Sequence, residues 1–137
     1  MIPSITKLDG ISEDGIRRLV DAFYAKVRVD PELAPIFLRA IPGDWQPHLN
    51  RMYAFWSSVM LTTGRYKGNP LVKHLVIPGI RPQLFERWLA LFNETCGELF
   101  DDGISEEFRV KAARIAESLM LGLFYRPDRP WPPETAA

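Results

Sequence analysis

Cysteine is nearly missing from this chain of 137 residues: Cys96 is the only one. That excludes an internal disulfide framework and any site built from four thiolates. Charge of one sign is missing as well, since 17 Lys and Arg balance 17 Asp and Glu. Without a basic field nothing draws the chain to nucleic acid or to an anionic lipid surface, and neither partner is expected. Long apolar runs are absent too; none approaches the roughly 18 residues of a membrane span. At the N-terminus, Lys7 and Asp9 fall where a secretory signal would need an apolar core. These absences point to a reducing cytoplasm. Histidine is scarce, with only His48 and His74 available for imidazole chemistry.

What is present is apolar bulk. Hydrophobic residues make up 47% of the chain and aromatics 12%, against 25% charged, which suits one folded domain rather than a disordered segment. A chain of this length buries about 70% of its unfolded surface, enough for one core. Proline and glycine divide it into segments, and no segment shows the alternation of a half-buried strand.

The segments read as helices. Ser12 can cap a first helix with Glu13 and Asp14 in its opening turn, followed by Ile16, Val20, Phe23 and Val27 at helical spacing. Asp30-Pro31 opens a short turn through Ile36-Phe37-Leu38. After Pro42-Gly43, Asp44 can cap a helix that tolerates Pro47 in its first turn. On that helix His48, Met52, Phe55 and Val59 share one face, beside Tyr53, Trp56 and Met60. Residues 63–81 read as loop, broken by Gly64, Gly68, Pro70, Pro78 and Gly79. Within them Asn69-Pro70 predicts a short helix over 70–75 that carries His74. A long helix from Pro82 to about Phe100 has two apolar stripes and is expected to be buried over most of its girth. Asp101-Asp102-Gly103 reads as a turn, with Ser105 capping a last helix whose core face is Phe108, Ala112, Ile115, Leu119 and Leu123.

His48 thus falls on a long helix among apolar neighbours, and His74 on a short helix in an irregular connector. A histidine in the second setting can be a surface or capping residue, or it can face a planar cofactor. Spacing does not choose between them. Likewise the spread of Phe23, Phe37, Met52, Phe55, Phe85, Trp88 and Phe92 over several helices fits either an ordinary core or an apolar cofactor pocket.

Six segments carry a resemblance: FYAKVR at 23–28, PELAPIF at 31–37, WQPH at 45–48, FW at 55–56, GNPLVKHL at 68–75 and ERWLALF at 86–92. In order and spacing they are similar to group III truncated haemoglobins, and the paired-glycine motifs of the other truncated groups are absent, as in group III. The resemblance covers about residues 12–125. It implies an all-α fold, a two-over-two helical sandwich around haem, with a leader at 1–11 and a proline-rich tail at 126–137.

The resemblance also implies roles. His74 matches the proximal iron ligand of a haem b (iron protoporphyrin IX). That cofactor would be held non-covalently, because no C-x-x-C-H run is present to attach it. Tyr24 matches the distal tyrosine that donates to a bound gas, and Trp88 the tryptophan that walls the distal pocket with its indole N–H. His48 matches the distal histidine, which can act as a gate, and Met52 packs over the distal face one turn later. Phe37 matches the phenylalanine wedged against the porphyrin, with Trp56 a further contact. Arg51 matches the basic residue reaching a propionate, and Lys73 is the alternative for that contact. Cys96 reads as a small buried hydrophobe.

The function so implied is binding of O2, NO and CO at a His-ligated iron, in O2 or NO chemistry or sensing rather than bulk transport. A second class is enzymatic, an NO dioxygenase or a peroxidase-like enzyme; it would need electrons from a separate reductase. A third is a haem-free helical interaction module, which uses the helical patterning but not His74. A monomer or weak dimer is expected.

Overall fold

Helix α1 (Glu13–Val27) begins where Ser12, in extended conformation, accepts a hydrogen bond from the Gly15 N–H at 3.0 Å. Such a cap contributes about 0.5–2 kcal/mol. In the computed structural model five more helices follow: α2 (Ala34–Ala40), α3 (Gln46–Leu61), α4 (Pro70–Leu75), α5 (Pro82–Leu99) and α6 (Asp102–Phe124). The structure describes residues 7–75 and 77–125, without the side chain of Val72. The proline-rich tail and residues 1–6 of the leader lie outside the described residues. Among them the chain is helical, and its one isolated β-bridge joins Leu8 to Phe100.

Helix α1 packs on α3 and on α5, α5 packs on α6, and α4 packs on α6. Two helix pairs, α1–α3 and α5–α6, are therefore joined through α1 and α5. The predicted stripe of α1 is the centre of the core: Ile16, Leu19, Val20, Phe23 and Val27 are all buried. From α5, Phe92 lies flat between two indoles, 5.3 Å from Trp88 and 4.9 Å from Trp56 by ring centroids. Offset stacking of this kind adds about 0.5–1.5 kcal/mol per pair beyond area burial.

Three local expectations need correction. Trp45, not Asp44, is the N-cap of α3; the Asp44 carboxylate lies one residue too early and accepts from the Gln46 N–H at 3.1 Å. Asp101, not Ser105, caps α6: its carboxylate accepts from the Ile104 N–H at 3.0 Å, and the helix already runs from Asp102. An aspartate caps as well as a serine, so the earlier residue starts the helix and Ser105 is buried inside its first turn. Asp30 does accept from backbone N–H groups, of Glu32 and Leu33, but it closes a turn over 31–33, and regular helix begins only at Ala34. The same carboxylate takes Nε and Nη2 of Arg87 at 2.8 and 2.6 Å, tying the α1–α2 corner to α5. That fork, with the two N–H donors, holds Asp30 below the usual carboxylate range despite its burial.

Helix α3 is less buried than its pattern suggests. Only Trp56 and Ser57 are fully enclosed, while His48, Met52 and Phe55 are half-buried. The part of its face that carries His48, Met52 and Phe55 meets a cavity, while the helix also packs on α1. At its end Thr62 adopts the left-handed conformation, φ 56°, which is costly for a β-branched residue. Ser57, wholly buried, fixes the following loop by hydrogen bonds to Glu13 and Thr63.

Candidate functional site

The cavity has a volume of about 560 Å³, within the range of small-molecule and cofactor sites. Each residue to which the resemblance gives a haem or gas contact lines it, whereas Phe23 and Phe92 of the aromatic set are buried in the core instead. Tyr24 comes from α1, Phe37 from α2, and His48, Arg51, Met52 and Trp56 from α3; Lys73 and His74 come from α4, and Trp88 from α5. Residues separated by up to 64 positions are thus brought to one space, whose wall is mostly aromatic and aliphatic.

The short helix α4 sets the state of His74. Nδ1 of its ring lies 2.6 Å from the carbonyl oxygen of Pro70, one turn earlier. A carbonyl only accepts, so Nδ1 carries the hydrogen and donates it. In the neutral ring Nε2 then bears the lone pair, the state a metal ligand requires. Helix α4 lies close to α6 because Gly122 leaves room: a Cβ there would meet a methyl of Leu71 at 2.6 Å.

Three polar groups meet the same cavity from the other helices. Tyr24 is 6% exposed, and burial raises the pKa of its hydroxyl, which therefore stays a protonated donor. Its ring is 5.0 Å from that of His48, edge to face. Nε2 of His48 is buried with no hydrogen-bond partner. Burial first, then the charges of Arg51 and His74, pushes the His48 pKa down to about 4, so the imidazole is neutral at pH 7. Trp88 stacks on Phe92 on one side and leaves its other side to the cavity. An unpartnered buried nitrogen costs free energy unless a ligand or water satisfies it.

Sequence reasoning passed over several residues. Trp45, read only as part of a motif, is 5% exposed and touches three site residues: Tyr24, Phe37 and His48, at 5.9, 6.4 and 5.6 Å between rings. Tyr66 lines the cavity from the loop after α3, held there by its N–H to Ser58 Oγ at 2.8 Å. Arg39 and Ile115 are further wall residues. For Ile115 the helical stripe was the available signal; for Trp45, Tyr66 and Arg39 nothing local was.

Among the described residues no three His, Cys, Asp or Glu side chains gather to hold a metal ion. An iron here would have to bring most of its ligands with it, as a porphyrin does, and take one imidazole from the protein. His74, with its Nδ1 hydrogen committed to Pro70, fits that single role. The apolar walls suit a porphyrin plane, and the cations Arg51 and Lys73 suit its carboxylates.

The family model described as bacterial-like globin matches residues 8–119. The group 3 truncated hemoglobin of Campylobacter jejuni is 35% identical over 113 residues, covering 80% of this chain and 89% of that protein. A crystal structure of group III truncated hemoglobin from Campylobacter jejuni superposes with a TM-score of 0.83 at 34% identity. That match covers 87% of this chain and 96% of the other.

Proposed function

The chain belongs to the bacterial-like globin family and, within it, to the group III truncated haemoglobins; on that premise we propose that His74 holds the iron of a b-type haem in this cavity and that Tyr24, His48 and Trp88 govern which small gases stay there. Globins bind haem and, through it, diatomic gases. The finer reading rests on one observation above all: His74 lines the cavity with its Nδ1–H committed to the Pro70 carbonyl, so that in the neutral ring the lone pair is on Nε2.

When bound, haem, which His74 would hold, would supply an iron able to take O2, NO or CO as a ligand. The chain's own residues set the environment. Phe37, Met52, Trp56 and Phe85 give an apolar wall, and Arg51 and Lys73 offer cations to the two carboxylates. Tyr24 offers an O–H that burial keeps protonated, Trp88 an indole N–H, and neutral His48 an imidazole edge. Donors at one chamber favour ligands with partial negative charge, each bond contributing about 1.5–3 kcal/mol. Two such bonds would slow oxygen release by orders of magnitude, since each 1.4 kcal/mol is about tenfold. Slow release suits O2 or NO chemistry or sensing better than transport. Buried Cys96, its thiol pKa raised to about 12 by burial, is inert in this reading and compatible with a cytoplasmic setting.

Stopped-flow oxygen dissociation tests the donor assignment. Tyr24→Phe and Trp88→Phe are expected to speed release about tenfold or more. Unchanged rates in both variants would remove the donors from the account. An enzymatic role in NO oxidation or peroxide reduction would draw on the same chamber and an external reductase. Comparing peroxide turnover in wild type and His48→Leu separates it from simple binding.

A further inference from the structure

Among the described residues, every fixed charge on the cavity wall is positive: Arg39 comes from α2, Arg51 from α3 and Lys73 from α4, and no described Asp or Glu lines the space. All three residues are exposed at the rim. None of them forms an ion pair among the described residues. The imbalance is local, since the chain as a whole has a formal net charge of zero. The buried wall groups do not offset it: Tyr24 is protonated and His48 neutral.

A seated haem would bring two carboxylates against three cations, so one positive charge is in excess, and Arg39 is the one to which the resemblance gives no carboxylate. A cleft with low-dielectric walls and charge of one sign focuses its field and raises the local concentration of oppositely charged solutes. We propose that this surplus charge makes the cavity a recruiter of small inorganic monoanions, of the azide or nitrite class, with Arg39 as the steering residue. The proposal rests on the haem reading above. One unpaired cation matches one negative charge, and Tyr24, His48 and Trp88 offer hydrogen bonds to an anion that has entered. The effect is on entry, so it appears in association rates and depends on salt.

The test is azide association with the ferric holoprotein, with NO as a neutral ligand of the same ferric form. At an ionic strength of about 0.01 M, Arg39→Gln is expected to slow azide about two- to fivefold, with the gap closing near 1 M. Arg39→Lys keeps the rate, Arg39→Glu lowers it further, and NO association is unchanged throughout. An azide rate indifferent to Arg39→Gln at low salt would overturn the proposal, as would an equal slowing of NO. Haem loss to an acceptor protein is measured in parallel. If Arg39→Gln speeds it as Arg51→Gln does, Arg39 grips a cofactor carboxylate and is no longer surplus, which also overturns the proposal. Failure of the underlying reading is recognised separately, by apoprotein that takes up no haemin and shows no Soret band.

Discussion

The guanidinium of Arg28 lies over the indole of Trp45, 4.4 Å from the ring centre. Arg28 is the C-cap of α1 and Trp45 the N-cap of α3, so the pair fastens together the two helix ends that carry Tyr24 and His48. The Trp45 ring also lies 5.9 Å from that of Tyr24 and 5.6 Å from that of His48. Trp45 does not line the cavity; it positions residues that do.

Replacing Trp45 therefore has two expected effects. Trp45→Ala removes a buried aromatic side chain, at a cost of about 3–5 kcal/mol of stability in urea denaturation. Trp45→Phe retains much of the packing but loosens the support of His48, so it broadens or shifts the carbonyl stretch of the CO complex. Arg28→Ala loses only the exposed cation–π contact, about 0.5–1 kcal/mol.

His48 gives the protein a dependence on acid. Its folded pKa lies near 4, below the ordinary 6.5. Above 6.5 both folded and unfolded forms are neutral and nothing is lost. Between 6.5 and 4 the unfolded chain takes up a proton that the folded chain refuses, so stability falls as the pH is lowered. Below about 4 both forms are protonated and this loss stops growing. From pH 7 to pH 5, wild type is expected to lose on the order of 1 kcal/mol more than His48→Leu in denaturant titrations. Equal losses would mean that the imidazole reaches solvent in the folded state.

Gly122 sits inside α6, where alanine would ordinarily stabilise a helix by about 1 kcal/mol. Here the added methyl meets Leu71 of α4, two of whose methyl carbons lie within 2.8 Å of the Cβ position. Gly122→Ala is expected to leave thermal stability nearly unchanged while displacing α4 and its histidine. Haem loss to an acceptor protein should then be severalfold faster. Unaltered retention would show that Leu71 yields without moving the helix.

The parts of this architecture that could be read in the sequence are those set within a few residues. Ser12 with its acidic first turn, and Asn69-Pro70 ahead of His74, mark helix starts by local chemistry, and both helices begin there. The stripes of α1 and α5 announce the core because periodicity records a buried face directly. On α3 the same periodicity was ambiguous, because a face turned to a cavity and a face turned to another helix need the same apolar residues. Asp101 caps α6 where the sequence reads as a turn, because its extended backbone lets the carboxylate reach the Ile104 N–H. Arg87 with Asp30, Arg28 with Trp45 and the rim position of Arg39 depend on how distant elements meet. Each is legible only once the helices are in place.

The claim on which the account depends is that His74 supplies the protein's bond to the cofactor iron. It is tested most directly by absorption spectra of the purified protein, of His74→Gly, and of His74→Gly with added imidazole. The account predicts a Soret band in the first, a lost or displaced band in the second, and its return when free imidazole fills the vacated place. A His74→Gly protein with the wild-type spectrum and gas affinity would contradict it.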